Sequence, residues 1–325
     1  MYRMIMVPTD GSGFDREAIR VALRIAARSG AKVRLVRVLS TGSFFGIAAA
    51  TEGTPVPAEV VRSERDRASS ELYALAAECR TTSKADIGVD LHAGPVADVL
   101  EGYAKRHDFD LIVISSHGRG GISRLSLGSV TDSLIRHTTT PVLVVKTPTS
   151  YLNPRVGEAF KRIVVPLDGS MLAEQILPRV VKLAKLEEAE ITLLHVLTPQ
   201  TYSQKEIVDP SSPWWEKDIS AARAYLLRIA GTLRRDGVLA TVDIVIGENV
   251  AEAIGDYAGR ERADMIAIAT HGRGGLSRML RGSVADAVTR SARMSMLVFR
   301  PEKTAERTAP STGKEQTLQG ELIPV

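Results

Sequence analysis

Two stretches of this chain occur twice. RMIMVPTDGS at 3–12 returns as RIVVPLDGS at 162–170, which sets Asp10 opposite Asp168. SSHGRGGISRLSLGSVTD at 115–132 returns as ATHGRGGLSRMLRGSVAD at 269–286, with HGRGG and GSV at the same separation in both. A repeat that preserves the spacing of two separate motifs means a duplicated folding unit, and it constrains the architecture more than any local propensity does. The length of 325 residues agrees, since it divides into two domains of about 150 residues. The expected boundaries are 1–147 for the first domain, 148–160 for a linker punctuated by Pro148, Asn153, Pro154 and Gly157, 161–300 for the second domain, and 301–325 for a disordered tail.

Each copy alternates short apolar, β-branched runs with helical periods. Strands are expected at Arg3 to Pro8, Lys32 to Leu39, Ile87 to His92, Asp110 to Ser115 and Pro141 to Lys146. The second copy repeats them at Ile163 to Leu167, Glu190 to Val196, Ala240 to Ile246, Asp264 to Ala269 and Met294 to Phe299. Between them lie amphipathic stretches, with Ala68, Leu72, Leu75, Ala76 and Cys79 on one helical face and Val96, Val99, Leu100 and Tyr103 on another. Continuous apolar strands alternating with helices give the α/β class: two tandem doubly wound domains, each a parallel sheet covered on both faces. Residues 40–57 and 198–215 match poorly between the copies and read as loops flanking a crevice.

Composition narrows the function. The hydrophobic fraction of 44% and the charged fraction of 25% are those of an ordinary globular protein, and no apolar run approaches a membrane span. The net charge of +4 is spread without a basic block, so neither nucleic acid nor membrane is an expected partner. Cys79 is the only cysteine, which excludes an internal disulfide, and MYRMIMVPTD runs directly into a strand pattern instead of a leader; both favour a cytoplasmic address.

The chemistry gathers at the strand ends. Asp10 and Asp168 each close a first strand, and the glycine-rich loops each follow a fourth. In open parallel sheets ligands bind beyond the carboxyl ends of the strands, where strand order reverses. Gly118, Gly120 and Gly121 allow close approach of main chain, and Gly128-Ser129 opens a helix through Val130, whose free N–H groups favour an anion. Ser129 is placed to cap that helix or to donate to a phosphate. No acid occurs from Ser115 to Thr131 or from Ala269 to Ala285, whereas Arg119, Arg124, Arg273, Arg278 and Arg281 do occur.

These motifs resemble the nucleotide-binding signature of the universal stress protein family: glycine, two residues, glycine, nine residues, then glycine with serine or threonine. This chain reads Ser115-x2-Gly118-x9-Gly128-Ser129 and Ala269-x2-Gly272-x9-Gly282-Ser283, with the first glycine replaced in both copies. The resemblance implies a Rossmann-like five-stranded sheet ordered 3-2-1-4-5 in each half and an ATP-binding stress-response protein, with AMP as a second nucleotide and Mg or Mn carried through the phosphates. By the same resemblance Asp10 and Asp168 would meet the nucleoside, and main chain near Val38 and Val196 the adenine edge. Gly118, Gly128 and Ser129, with Gly272, Gly282 and Ser283, would hold the phosphates, and the nucleotide sites would also include Ser115, His117, Arg119, Gly121 and Val130, with Ala269, His271, Arg273, Gly275 and Val284. The halves are expected to form an intramolecular pseudo-dimer through their apolar last strands, with a homodimer and an unknown protein partner beyond it.

Other readings stand beside this one. Asp10 and Asp168 could simply cap helices, the arginines could be solvated, Cys79 reads as inert core, and Trp214 and Trp215 read as anchors of a loop or interface. His117 and His271 lack a paired carboxylate or cysteine in sequence, so no catalytic residue and no protein-held metal is expected, and slow ATP hydrolysis is the most activity implied. A dinucleotide oxidoreductase fails because Arg16 occupies the third glycine position after Gly11 and Gly13. The remaining alternative is a protein of this family that binds no nucleotide and serves as an interaction module.

Overall fold

A computed structural model of the chain describes residues 1–40, 57–116, 127–146, 159–198, 213–270 and 283–301. The first half runs β1 (Met4–Pro8), α1 (Arg16–Ser29), β2 (Lys32–Leu39), α2 (Ala58–Thr82), β3 (Asp86–Ala93), α3 (Val96–Arg106), β4 (Leu111–Ser115), α4 (Ser129–His137) and β5 (Val142–Val145). The second runs β6 (Arg162–Pro166), α5 (Met171–Glu174), α6 (Leu177–Glu187), β7 (Glu190–Leu197), α7 (Pro213–Arg235), β8 (Ala240–Ile246), α8 (Val250–Arg260), β9 (Met265–Ala269), α9 (Ser283–Ser291) and β10 (Ser295–Phe299). Every expected strand is present within a residue or two at either end. Residues 148–158 of the expected linker and the tail beyond Pro301 lie outside the described residues.

Strand order is β3-β2-β1-β4-β5-β10-β9-β6-β7-β8, so each half has the expected 3-2-1-4-5 order and the two halves share one ten-stranded sheet. Pairing is parallel within each half and antiparallel at the junction, where Leu143 faces Leu297 and Val144 faces Met296. All four side chains are buried. An apolar edge strand is a template for uncontrolled pairing, and here each half covers the other's. Two core layers follow from the period-2 alternation of the strands. Ile5, Val7, Leu35 and Val113 pack under α1 and α2, and Met6, Val36, Ile112 and Val144 pack under α3 and α4. Ala68, Leu72, Ala76 and Cys79 are buried along α2, as their helical spacing requires.

The halves differ at the first helix. α1 is continuous and stops at Gly30, whose φ of 73° is a left-handed cap that donates its N–H to Ala26 O. In the second half Pro178 stands where the first has Arg20. Proline lacks the N–H of a helix interior and is tolerated only in a first turn, so the segment breaks into the single-turn α5 and a new helix, α6. The loop expected through residue 215 likewise gives way to α7 at Pro213. Trp214 and Trp215 therefore lie on helical backbone; their side chains are outside the described residues.

Aspartates at the amino ends of β4 and β9 fix the central register. Asp110 Oδ2 accepts from Arg3 N at 2.7 Å and Met4 N at 3.1 Å, and Asp264 Oδ2 accepts from Lys161 N at 2.8 Å and Arg162 N at 2.9 Å. Burial by itself would raise the Asp110 pKa, but the two N–H donors and the Lys182 ammonium outweigh it and hold the carboxyl below its usual range. A depressed folded-state pKa contributes stability above the unfolded value of about 3.9, which is lost as pH falls through the folded one. Asp110→Asn is thus expected to lower stability at pH 7 and to flatten its decline in acid. Urea unfolding of both proteins at pH 7 and pH 3 checks this: an equal deficit at both values would contradict it.

Candidate functional site

The first crevice lies where strand order reverses, between β1 and β4. Ile5 pairs with Leu111, so counting five residues along each chain brings Asp10 level with Ser116. Ser116 N continues the ladder to Val145 O at 3.0 Å, and Gly128 N then donates to Ser116 O at 2.9 Å, which seats the start of α4 against the end of β4. Thr131 Oγ1 donates to Ser115 O at 3.1 Å and fastens the first turn from below. Gly128 is the residue flanking α4, with φ −59° and ψ 146°, and as a glycine it offers no capping side chain. The amino end of α4, with its partial positive charge, thus opens toward the crevice.

The third wall is backbone. Thr9 N bonds Val36 O at 2.9 Å, and β1 pairing with β2 ends at Pro8 opposite Val36. Peptide groups alternate sides along a strand, so the N–H and C=O of Val38 point the same way as those of Val36, over the crevice, beyond the last paired residue of β1. Val196 repeats this: Leu167 N bonds Leu194 O at 2.8 Å, and pairing of β6 with β7 ends there. In the second half Ile163 pairs with Met265, which brings Asp168 level with Thr270, and α9 begins at Ser283 within the repeated GSV.

Two of the alternative readings left open by the sequence do not hold. Asp10 and Asp168 do not cap helices: Asp10 Oδ1 accepts from Ser12 N at 2.8 Å and Asp168 Oδ1 from Ser170 N at 2.9 Å, so each closes a two-residue turn. The helix-flanking residues are Asp15 for α1 and Ser170 for α5, and Ser170 Oγ accepts from Ala173 N at 3.1 Å. Ser129 does not cap α4 either; it is the exposed first residue of that helix, because Gly128 takes the flanking position. Val130 and Val284 pack at the edge of the core. His117, Gly118, Arg119, Gly121, His271, Gly272, Arg273, Gly275 and Gly282 lie outside the described residues, as does the Ser283 side chain.

The non-glycine residues with positive φ in the described residues are Asp108, Glu188 and Arg262. Ser115 and Ala269 are therefore ordinary strand residues, and backbone conformation does not demand the missing glycine. Sequence reasoning overlooked Thr131 and Ser116, whose roles come from a tertiary seam. It also overlooked the contact between α4 and α9. Arg136 reaches Asp286 at 3.1 Å while Arg290 reaches Asp132 at 3.6 Å, reciprocal ion pairs between the two helices that open on the crevices. The repeat SVTD and SVAD, each followed by arginine four residues on, was the available signal.

The sequence profile of the Universal stress protein family matches residues 1–146 and again 159–300. The chain belongs to the universal stress protein family. A universal stress protein of Mycolicibacterium smegmatis is 25% identical over 305 residues, spanning 91% of this chain and 97% of that protein. One from Methanocaldococcus jannaschii is 32% identical over 149 residues, covering 46% of this chain and 84% of the relative. The crystal structure of a universal stress protein from Archaeoglobus fulgidus superposes with a TM-score of 0.66 at 19% identity, over 92% of this chain and 97% of that one, which establishes the shared fold. Among the described residues of this universal stress protein, no helix is long and apolar enough to cross a membrane, and no group of three or more His, Cys, Asp or Glu could hold a metal ion.

Proposed function

We propose that the chain binds adenine nucleotide, chiefly ATP carrying Mg or Mn on its phosphates, at one crevice per half, and acts in stress response as a nucleotide-responsive binding protein and not as a dedicated catalyst. One observation carries the reading. The glycine-flanked amino end of α4, the half-buried Asp10 and the outward backbone edge of Val38 converge on the same strand reversal. These are the three chemistries a nucleoside phosphate needs: N–H donors and dipole for phosphate, an acceptor for ribose hydroxyls, and a peptide edge for the base. The divalent ion would ride on the phosphates without a protein cage. Asp10 would orient the sugar, and α4 would hold the phosphate charge in place.

Gentle purification, denaturation and mass spectrometry of the released small molecules test this. ATP or AMP is expected in the released fraction, with at most feeble hydrolysis by the native protein. Repeated nucleotide-free preparations that also take up no added ATP would overturn it and leave the interaction-module reading.

A further inference from the structure

The first half has a second cavity, on the other side of the sheet from the crevice. Side chains alternate along β2, so Arg37 points under α1 and α2, whereas Val38 packs with the opposite layer. The cavity holds about 320 Å³ between α2 and the turn that follows β1. Thr9, Asp15 and Arg37 line its inner wall, Leu72 and Leu75 give it an apolar side, and Glu71 stands at its rim.

Its inner wall carries two buried charges of opposite sign that do not neutralise each other. The Arg37 side chain is 7% exposed and uses Nη1 for Glu71 at 2.7 Å, and among the described residues Nε and Nη2 have no acceptor. Asp15 is 5% exposed, and its carboxylate accepts from Thr9 Oγ1; among the described residues no cation lies within ion-pair distance of it. Neither the free Arg37 donors nor the Asp15 carboxylate is sealed from the open cavity, so both face the space a ligand would fill. A ligand that brings an ammonium to Asp15 and a carboxylate to the Arg37 fork engages both at once. The volume sits at the small end of ligand pockets, which suits an amino acid.

We propose that this cavity is a binding site for one free α-amino acid per chain, with its ammonium on Asp15, its carboxylate on Arg37 and its side chain along Leu72 and Leu75. The second half supplies an internal control. At the matching positions it has Leu167 for Thr9, Ala173 for Asp15 and His195 for Arg37, and the His195 ring nitrogen Nδ1 is already engaged with Leu167 O at 2.7 Å. The charges are absent there, so a single site is expected. The inference does not depend on nucleotide binding.

The twenty protein L-amino acids serve as probes in a thermal-shift screen of the full chain, and each that raises the melting temperature is titrated by calorimetry. At least one is expected to bind saturably with one site per chain. Its N-acetyl derivative and its decarboxylated amine are each expected to bind about tenfold or more weaker, since each loses one charged contact. Arg37→Met is expected to weaken binding to a similar degree. Glu71→Gln, at a half-exposed rim position, removes the internal competitor for Arg37 and is expected to tighten binding, a gain that misfolding cannot imitate. The proposal is overturned if no amino acid binds, if the one-ended analogues bind as well as the parent, or if Glu71→Gln leaves affinity unchanged. Should Arg37→Met fail to fold, the analogues and Glu71→Gln decide the matter.

Discussion

Gly128→Glu is expected to lower the ATP stoichiometry measured by calorimetry from two per chain to one. A Cβ at this position would stand 3.4 Å from Ser116 O and 3.9 Å from Thr131 Oγ1, contacts that small adjustments absorb, and a φ of −59° is ordinary for an L-residue. The new carboxylate would lie at the amino end of α4, where the helix dipole favours a negative charge by about 0.3–1 kcal/mol, so the fold should hold. The same charge would occupy the place of the phosphates and repel them by about 1–4 kcal/mol at 4 Å, with exclusion of the ligand added to that. Affinity of the first site should fall about a hundredfold or more. Gly282→Glu is expected to silence the second site alone. Loss of both sites in either variant would show that the crevices do not act separately.

The largest expected effect on stability belongs to Glu187, which is fully buried between the halves. Its carboxylate meets Arg24 Nε at 3.2 Å and Arg28 Nη1 at 3.3 Å, and Arg24 also lies over the Phe160 ring at 5.0 Å. Glu187→Leu would remove the fully buried carboxylate that both Arg24, only 16% exposed, and Arg28 face. Removing one member of a buried pair costs about 3–5 kcal/mol, a large share of a typical unfolding free energy. Glu188→Gln is the control, since that side chain is 84% exposed and its pairing with Lys161 at 3.6 Å should contribute less than about 1 kcal/mol. Urea unfolding measures both. A loss below about 1 kcal/mol for Glu187→Leu would show that the packing of β5 on β10 holds the halves together without this pair.

The strands were legible because each is a continuous apolar run, and the duplication tested every assignment twice; their order came from the family resemblance. The junction was legible for the same reason: Val142 to Val145 and Met296 to Phe299 are too apolar to face water, and each covers the other. What failed was local chemistry with more than one outlet. Asp-Gly-Ser suits a helix cap in sequence, but the structure closes a turn with it because α1 starts only at Arg16. Pro178 was visible, but whether it would end a helix or begin one depended on how the preceding turn could be satisfied, which Ser170 settles. The cavity of Asp15 and Arg37 was not legible at all, because those residues are far apart in sequence and meet only when α2 folds over the turn after β1. In the crevice, the sequence pointed to Asp10 and Gly128 and the family resemblance to Val38, while Ser116 and Thr131, which hold Gly128 in place, have no motif of their own.

The most direct test of the central claim, that duplication made two equivalent nucleotide sites, is native mass spectrometry of the unaltered chain in excess ATP and Mg. Saturation at two nucleotides per chain is the predicted result. Saturation at one, or no adduct at any concentration, would contradict it.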